Sequence, residues 1–122
     1  MALRCLIVDD NIAFVAAAES VLNGSDFDVV GGATTVSEGL RQVGELNPEV
    51  VLVDIDLGEE SGFALVRQVM QASDGHHPKL IMVSAHPEEA FADLIAESRA
   101  AGFITKSELS PARLSEVLSR PS

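Results

Sequence analysis

Tryptophan and tyrosine are absent from the 122 residues, cysteine occurs once, and 8 Lys and Arg face 19 Asp and Glu, a formal net charge of −11. Each shortage excludes something. Nucleic-acid surfaces need a basic stripe or aromatic platforms, so scattered cations without Trp or Tyr give this segment no direct nucleic-acid footprint. The lone Cys5 builds no disulfide framework. The apolar runs fall far short of the ~20 residues of a spanning helix, and Met1-Ala2-Leu3-Arg4 leads into a strand-like run rather than a signal peptide. A soluble, cytoplasmic chain without membrane contact is therefore expected. What is present is a 47% apolar composition. A chain of this length buries roughly two thirds of its unfolded surface on folding, so residues 1–122 are expected to form one domain without disulfide or zinc staples.

Four apolar segments, Cys5 to Val8, Val29-Val30, Val50 to Val53 and Leu80 to Val83, are rich in β-branched residues and lack a polar alternate face, the pattern of strands covered on both sides. Helical patterns separate them. Asp9-Asp10-Asn11 opens a helix running from Ile12 to Leu22 and stopped by Asn23-Gly24. Thr35 and Glu38 have capping-box spacing before Leu40, Val43 and Leu46, and Pro48 ends that run. Phe63, Leu65, Val66, Val69 and Met70 form a third stripe, closed by Ser73-Asp74-Gly75. Pro87 begins a fourth with Phe91, Leu94 and Ile95 on one face, and Ser110-Pro111 caps a fifth bearing Leu114, Val117 and Leu118. Gly102 to Thr105 supplies a fifth strand. Such alternation predicts parallel strands with right-handed helical crossovers in an α/β, doubly wound, three-layer sandwich.

Sheets of this kind bind ligands at the carboxyl ends of their strands. The first strand ends in Asp9-Asp10, the third in Asp54, the fourth in Ser84 and the fifth in Thr105-Lys106. Three carboxylates brought together repel one another unless a cation sits among them. Oxygen-only ligands favour a hard divalent ion, Mg²⁺ or Mn²⁺, which keeps waters and takes phosphate as a further ligand. Lys106 adds a point charge for a phosphoryl oxygen and Ser84 a hydroxyl donor, so the set suits a carboxylate that accepts a phosphoryl group as an acyl phosphate.

With these residues in place, the chain resembles the receiver domain of two-component response regulators. The likeness rests on Leu6-Ile7-Val8-Asp9-Asp10, on Val51 to Leu57 followed by Gly62, on Met82-Val83-Ser84-Ala85 and on Gly102-Phe103-Ile104-Thr105-Lys106. The resemblance implies a flavodoxin-like fold of five strand–helix repeats. It makes Asp54 the phosphoacceptor, Asp9 and Asp10 the acidic pair with Asp10 the more direct metal ligand, and the backbone carbonyl of Asp56 a further ligand. Ser84 becomes the switch hydroxyl beside Ala85 in the phosphate-binding set, Lys106 the phosphate-binding lysine, and Phe103 the aromatic switch residue. Asp56 and His86 fall where phosphoryl lifetime is tuned, and an acidic Asp56 either positions or repels an attacking water. Ser107 departs from the family, which often has proline after the lysine.

The implied partners are a histidine kinase or histidine phosphotransfer protein as donor, and a downstream protein or output domain as target. A homodimer could form through the face of the fourth helix, fifth strand and fifth helix. The chain is then a switch and not a turnover enzyme. The stretch from Gly102 to Leu109 also resembles receivers that precede LuxR-type DNA-binding output domains. A rival of another class is a haloacid-dehalogenase-like phosphatase, suggested by Asp54-Ile55-Asp56 after an apolar strand, although Gly58 and the upstream acidic pair depart from that pattern.

Taken singly, each motif has a plainer reading. Asp9-Asp10 is also a common helix N-terminal signal, Ser84 a capping hydroxyl, Cys5 a buried strand residue and His76-His77 a solvated loop. Ile12, Ala13, Phe14 and Val15 exceed what one buried helix face needs. One of them is either a kinase contact or, for Phe14, core packing.

Overall fold

The computed structural model describes residues 2–72 and 77–120. Five parallel strands form one sheet: β1 (Leu3–Val8), β2 (Phe27–Ala33), β3 (Val50–Asp54), β4 (Lys79–Ser84) and β5 (Gly102–Thr105). Their order is β2-β1-β3-β4-β5. The reversal falls between β1 and β3, the switch point where such sheets form ligand crevices. The helices are α1 (Ile12–Leu22), α2 (Val36–Leu46), α3 (Gly62–Ala72), α4 (Ala92–Glu97) and α5 (Pro111–Leu118). This is the expected doubly wound, flavodoxin-like sandwich.

Strand periodicity divides the core into two layers. Leu6, Val8, Val51, Val53, Leu80, Met82 and Phe103 face one way, with Leu65, Val66 and Val69 of α3 and half-buried Leu40 and Val43 of α2 packed on them. Cys5, Ile7, Leu52, Ile81, Val83 and Ile104 face the other way, onto Ala18 and Leu22 of α1 and Leu114 and Val117 of α5. Because β1, β3 and β4 are covered on both sides, their ends are rigidly placed. The strand β2 departs from the expectation. It is an edge strand with Asp28 and Gly32 exposed and Val29 and Val30 only half-buried, because one of its long sides has no neighbour.

Local chemistry sets the helix ends. Asn11 caps α1 by accepting the Phe14 N–H at 3.2 Å, and Ser110 caps α5 by accepting that of Arg113 at 3.0 Å. Thr35 Oγ1 accepts the Glu38 N–H at 3.1 Å, while Glu38 reaches back one residue further than the usual capping box, to the Thr34 N–H at 3.2 Å. The end of α2 is set by Asn47, left-handed at φ 48°, one residue before Pro48. The third-helix stop signal Ser73-Asp74-Gly75, like His76, lies outside the described residues, whereas His77 is exposed with Nδ1 3.1 Å from the Pro78 carbonyl oxygen.

The fourth helix corrects the sequence reading. Pro87 leads into a 3₁₀ turn over Glu88–Phe91 with no side-chain cap, and the α-helix that follows has six residues. Phe91 sits in the turn and not on the helix, so only Phe91 and Ile95 reach the core, and Leu94 is 51% exposed.

Two glycines shape the path from β3 to α3. Gly58, at φ 68°, takes the first central place of a two-residue hairpin that pairs Asp56 with Ser61 and Leu57 with Glu60. Gly62 then packs against the strand end so closely that a Cβ there would lie 2.1 Å from the Asp54 carbonyl oxygen. Gly62→Ala should therefore cost at least about 2 kcal/mol, since backbone must move to admit the methyl. Gly44, inside α2 with open space around it, should gain roughly 0.5–1 kcal/mol on substitution by Ala. Urea unfolding of both variants checks the contrast; equal effects would contradict the geometry.

Candidate functional site

Parallel register carries the strand ends to one edge. Val8 aligns with Val53, Asp54 with Val83, and Ser84 with Thr105, so the residues at or just past these positions crowd together. Three of these side chains then make the same local turn. Asp9 Oδ1 accepts the Asn11 N–H at 2.8 Å, Asp54 Oδ1 the Asp56 N–H at 3.1 Å, and Ser84 Oγ the His86 N–H at 3.0 Å. Each bond to the amide two residues on pins its side chain at the exit from its strand. Sequence reasoning missed this device, although Asp or Ser at a strand end, followed by a chain reversal, is its signal.

The second oxygens of the two aspartates meet one ammonium. Lys106 Nζ donates a hydrogen bond to Asp54 Oδ2 at 3.1 Å and lies 2.7 Å from Asp9 Oδ2. That second contact is a short ion pair lying off the ideal hydrogen-bond angle, so Asp9 Oδ2, fully buried, has no well-aligned donor. Oxygens of Asp9, Asp10 and Asp54 all fall within 4.8 Å of one another. Asp9 and Asp54 are buried and Asp10 is exposed, leaving one side of the cluster open to water.

A cavity of about 290 Å³ opens over this edge, lined by Asp10, Asn11, Asp54, Asp56, Gly58, Ser84, Ala85, His86 and Lys106. Asn11 and Gly58 were not anticipated as lining residues. Asp9, fully buried, is not among the residues that line the cavity. The Ser84 hydroxyl spends an acceptor lone pair on His86, which leaves its hydrogen free to serve as a donor. His86 is exposed and tilts against Phe91, with ring centroids 6.3 Å apart. Phe103, 6% exposed, packs inward from β5 and takes no place in the cavity lining. The Lys106–Ser107 bond is trans, as are the other peptide bonds among the described residues. Cys5, buried in β1, has its thiol pushed up to about 12 by burial, the environment of an inert strand residue.

The cluster is electrostatically unbalanced. The Asp54 carboxyl is pushed up to about 6: burial, the largest cause, and the Asp9 charge raise it, and together they outweigh the Asp56 amide and Lys106, which lower it. For Lys106, burial disfavours the ammonium, but close pairing with the Asp9 and Asp54 carboxylates outweighs it and holds its pKa above the ordinary lysine value. The donor set fits a hard divalent cation: all ligands are oxygens, one buried carboxylate oxygen lacks an aligned donor, and the exposed side leaves room for waters.

Comparison with known proteins agrees with this geometry. Residues 5–119 match the family model of the response regulator receiver domain. The chain belongs to that family. It is 29% identical to the chemotaxis protein CheY of Thermotoga maritima over 122 residues, covering all of this chain and 99% of that protein. It is 31% identical to the response regulator GacA of Pseudomonas viridiflava over 107 residues, 85% of this chain, but spans only 48% of that protein. Among solved structures, a LuxR-family two-component response regulator from Aurantimonas superposes with a TM-score of 0.81 at 25% identity, covering 95% of this chain and 81% of the other. A CheY-like receiver domain from Methanospirillum hungatei gives 0.78 at 26% identity, covering 97% and 91%.

Receiver domains are signalling domains, generally Mg²⁺-dependent, that interact with histidine kinases and output domains. They are not turnover enzymes, although some are joined to one, as in a protein-glutamate methylesterase of Geobacter sulfurreducens of which this chain spans 28%. Family membership displaces the haloacid-dehalogenase-like alternative. No helix among the described residues is long and apolar enough to cross a membrane.

The electrostatics carry a pH prediction. Asp54 titrates higher in the folded chain than in the unfolded one, so its contribution to stability is intact below about pH 4 and is lost as pH rises through about 6. In chelator, Asp54→Asn should gain stability over the unmodified chain across that window, by up to about 3 kcal/mol at pH 7. Urea unfolding at stepped pH checks this; a difference that does not grow with pH contradicts it.

Proposed function

We propose that the chain is a phospho-accepting switch in which Asp54 takes a phosphoryl group from a phosphohistidine of a histidine kinase or phosphotransfer protein. The observation that carries this reading is the meeting of Asp9, Asp10, Asp54 and Lys106 beside a cavity that Ser84 also lines.

An oxygen of the Asp54 carboxylate attacks phosphorus as the phosphorus–nitrogen bond to the donor imidazole breaks. The imidazole leaves with the bonding pair and regains a proton, and Asp54 becomes an acyl phosphate. Lys106 and the free Ser84 hydroxyl hydrogen meet the equatorial oxygens of the transferring group. Asp9, Asp10, Asp54 and the backbone carbonyl of Asp56 would hold Mg²⁺ or Mn²⁺, which when bound offsets charge on those oxygens. Asp56 and His86, at the cavity rim, set access for the water that later hydrolyses the acyl phosphate.

The new dianion competes for the Ser84 hydroxyl and for Lys106, both of which border β5. Phe103 is the packing element through which β5, α4 and α5 would settle into a second arrangement, a population shift biased by the added charge. The altered face then engages a downstream protein, an output domain or a second copy. Two kinds of output are compatible with the relatives: protein contact, as full-length alignment with CheY suggests, or a DNA-binding module, as half-length alignment with GacA and the LuxR-family likeness suggest. A cytoplasmic location follows from that role.

Intact mass after incubation with phosphoramidate tests the acceptor. The unmodified chain should gain one phosphoryl mass with Mg²⁺ and none with chelator, and Asp54→Asn none in either. Equal modification of the Asn variant would move the acceptor elsewhere, and no modification of either chain would overturn the reading.

A further inference from the structure

Lys106 is held from three sides, and one of the three is not a carboxylate. Its ammonium lies over the ring of Phe14, 4.5 Å from the centroid, as well as beside Asp9 and Asp54. We propose that Phe14 is a positioning residue for Lys106, its ring face keeping the ammonium at the strand edge where the phosphoryl oxygens arrive. The proposal rests on the phosphoacceptor reading above.

The lysine needs such a guide. Its charge rides on a flexible four-carbon stem, and that stem starts where β5 ends, so the ammonium must cross toward β3 and β1 to reach the site. Both carboxylates that hold it are also candidate ligands for a divalent cation, and one of them is the candidate acceptor. When cation and phosphoryl group take those oxygens, the ring alone among the three neighbours keeps its interaction unchanged. A ring face attracts an ammonium most strongly where water is excluded, and the Lys106 side chain is only 17% exposed.

The ring is itself located by Asp9. Asp9 Oδ1 accepts the Asn11 N–H at 2.8 Å, and Asn11 Oδ1 accepts the Phe14 N–H at 3.2 Å. The path runs from Asp9 through Asn11 and Phe14 to Lys106, and closes where Lys106 Nζ meets Asp9 Oδ2 at 2.7 Å. Displacing one member by a fraction of an ångström displaces the rest, and misplacement of about 1 Å near a reacting group costs up to 10²-fold in rate. Phe14 also packs half-buried against the layer beneath α1, so Leu, which keeps that apolar contact without a π face, is the informative substitution.

The experiment measures phosphoryl uptake from phosphoramidate at saturating Mg²⁺ for the unmodified chain, Phe14→Leu and Phe14→Tyr, with the Leu change repeated in a Lys106→Met background. Phe14→Leu should slow uptake about tenfold, Phe14→Tyr should stay within about twofold, and the Leu change should have little effect once Lys106 is gone. Mg²⁺ affinity should change less than twofold, since Phe14 supplies no ligand. Upfield-shifted ε-methylene protons of Lys106, returning to ordinary positions in Phe14→Leu, report the contact without any phosphorylation. Unchanged uptake in Phe14→Leu, or an equal slowing with Met at 106, overturns the proposal, as does an unshifted Lys106 methylene. An unmodified chain that takes up no phosphoryl group, yet shows the shifted methylene, overturns the phosphoacceptor reading and this role with it, while leaving the contact established.

Discussion

Three carboxylates share one sheet edge with a single ammonium, and two of the three are buried. Nothing apolar about the fold demands this. Buried like charges raise the free energy of the native state, and the chain accepts the cost because every element around the edge is fixed by something else. The remainder of the site is arranged to hold that imbalance in place. Amides two residues on take one oxygen of Asp9 and one of Asp54, Lys106 is shared between the other two, and Asp10 faces water. In the proposed function, a divalent cation and a phosphoryl group would complete the cluster, one adding positive charge and the other giving it something to bind.

The sheet makes the arrangement rigid. β1, β3 and β4 lie between two apolar layers, so their ends cannot retreat from one another to relieve repulsion. Gly62 lets α3 start directly against the Asp54 carbonyl, and its N–H donates to the Ile55 carbonyl at 2.8 Å, closing the loop that carries Asp56. Across the molecule, α4 is the opposite case. It is short, lacks a side-chain cap and leaves Leu94 in solvent, and it lies on the face that the switch reading requires to change packing. In the proposed switch, the rigid strand ends would capture charge and the loosely tied helix would report it.

Much of this was legible in the residues. Strands covered on both faces announce themselves as unbroken apolar runs, and the residue after each run named Asp9, Asp10, Asp54, Ser84 and Lys106 before any geometry was known. The capping signals at Thr35 and Ser110 fell where the helices begin. Other features escaped for physical reasons. An edge strand containing Gly31-Gly32 has no apolar run to display its full length. The fourth helix misled because spacing of three and four suggests one face even when Phe91 belongs to a 3₁₀ turn. The Phe14 ring over Lys106 joins residues 92 positions apart, and no local pattern encodes that contact.

The charge imbalance at the strand ends is tested most directly by titrating Mg²⁺ at pH 7 while following the amide signals of Asn11 and Asp56, whose N–H groups report on Asp9 and Asp54. Saturable shifts of both in the unmodified chain, with affinity at least tenfold weaker in Asp54→Asn, are the result this account predicts. Amide signals that do not move, or that move alike in both proteins, would contradict it.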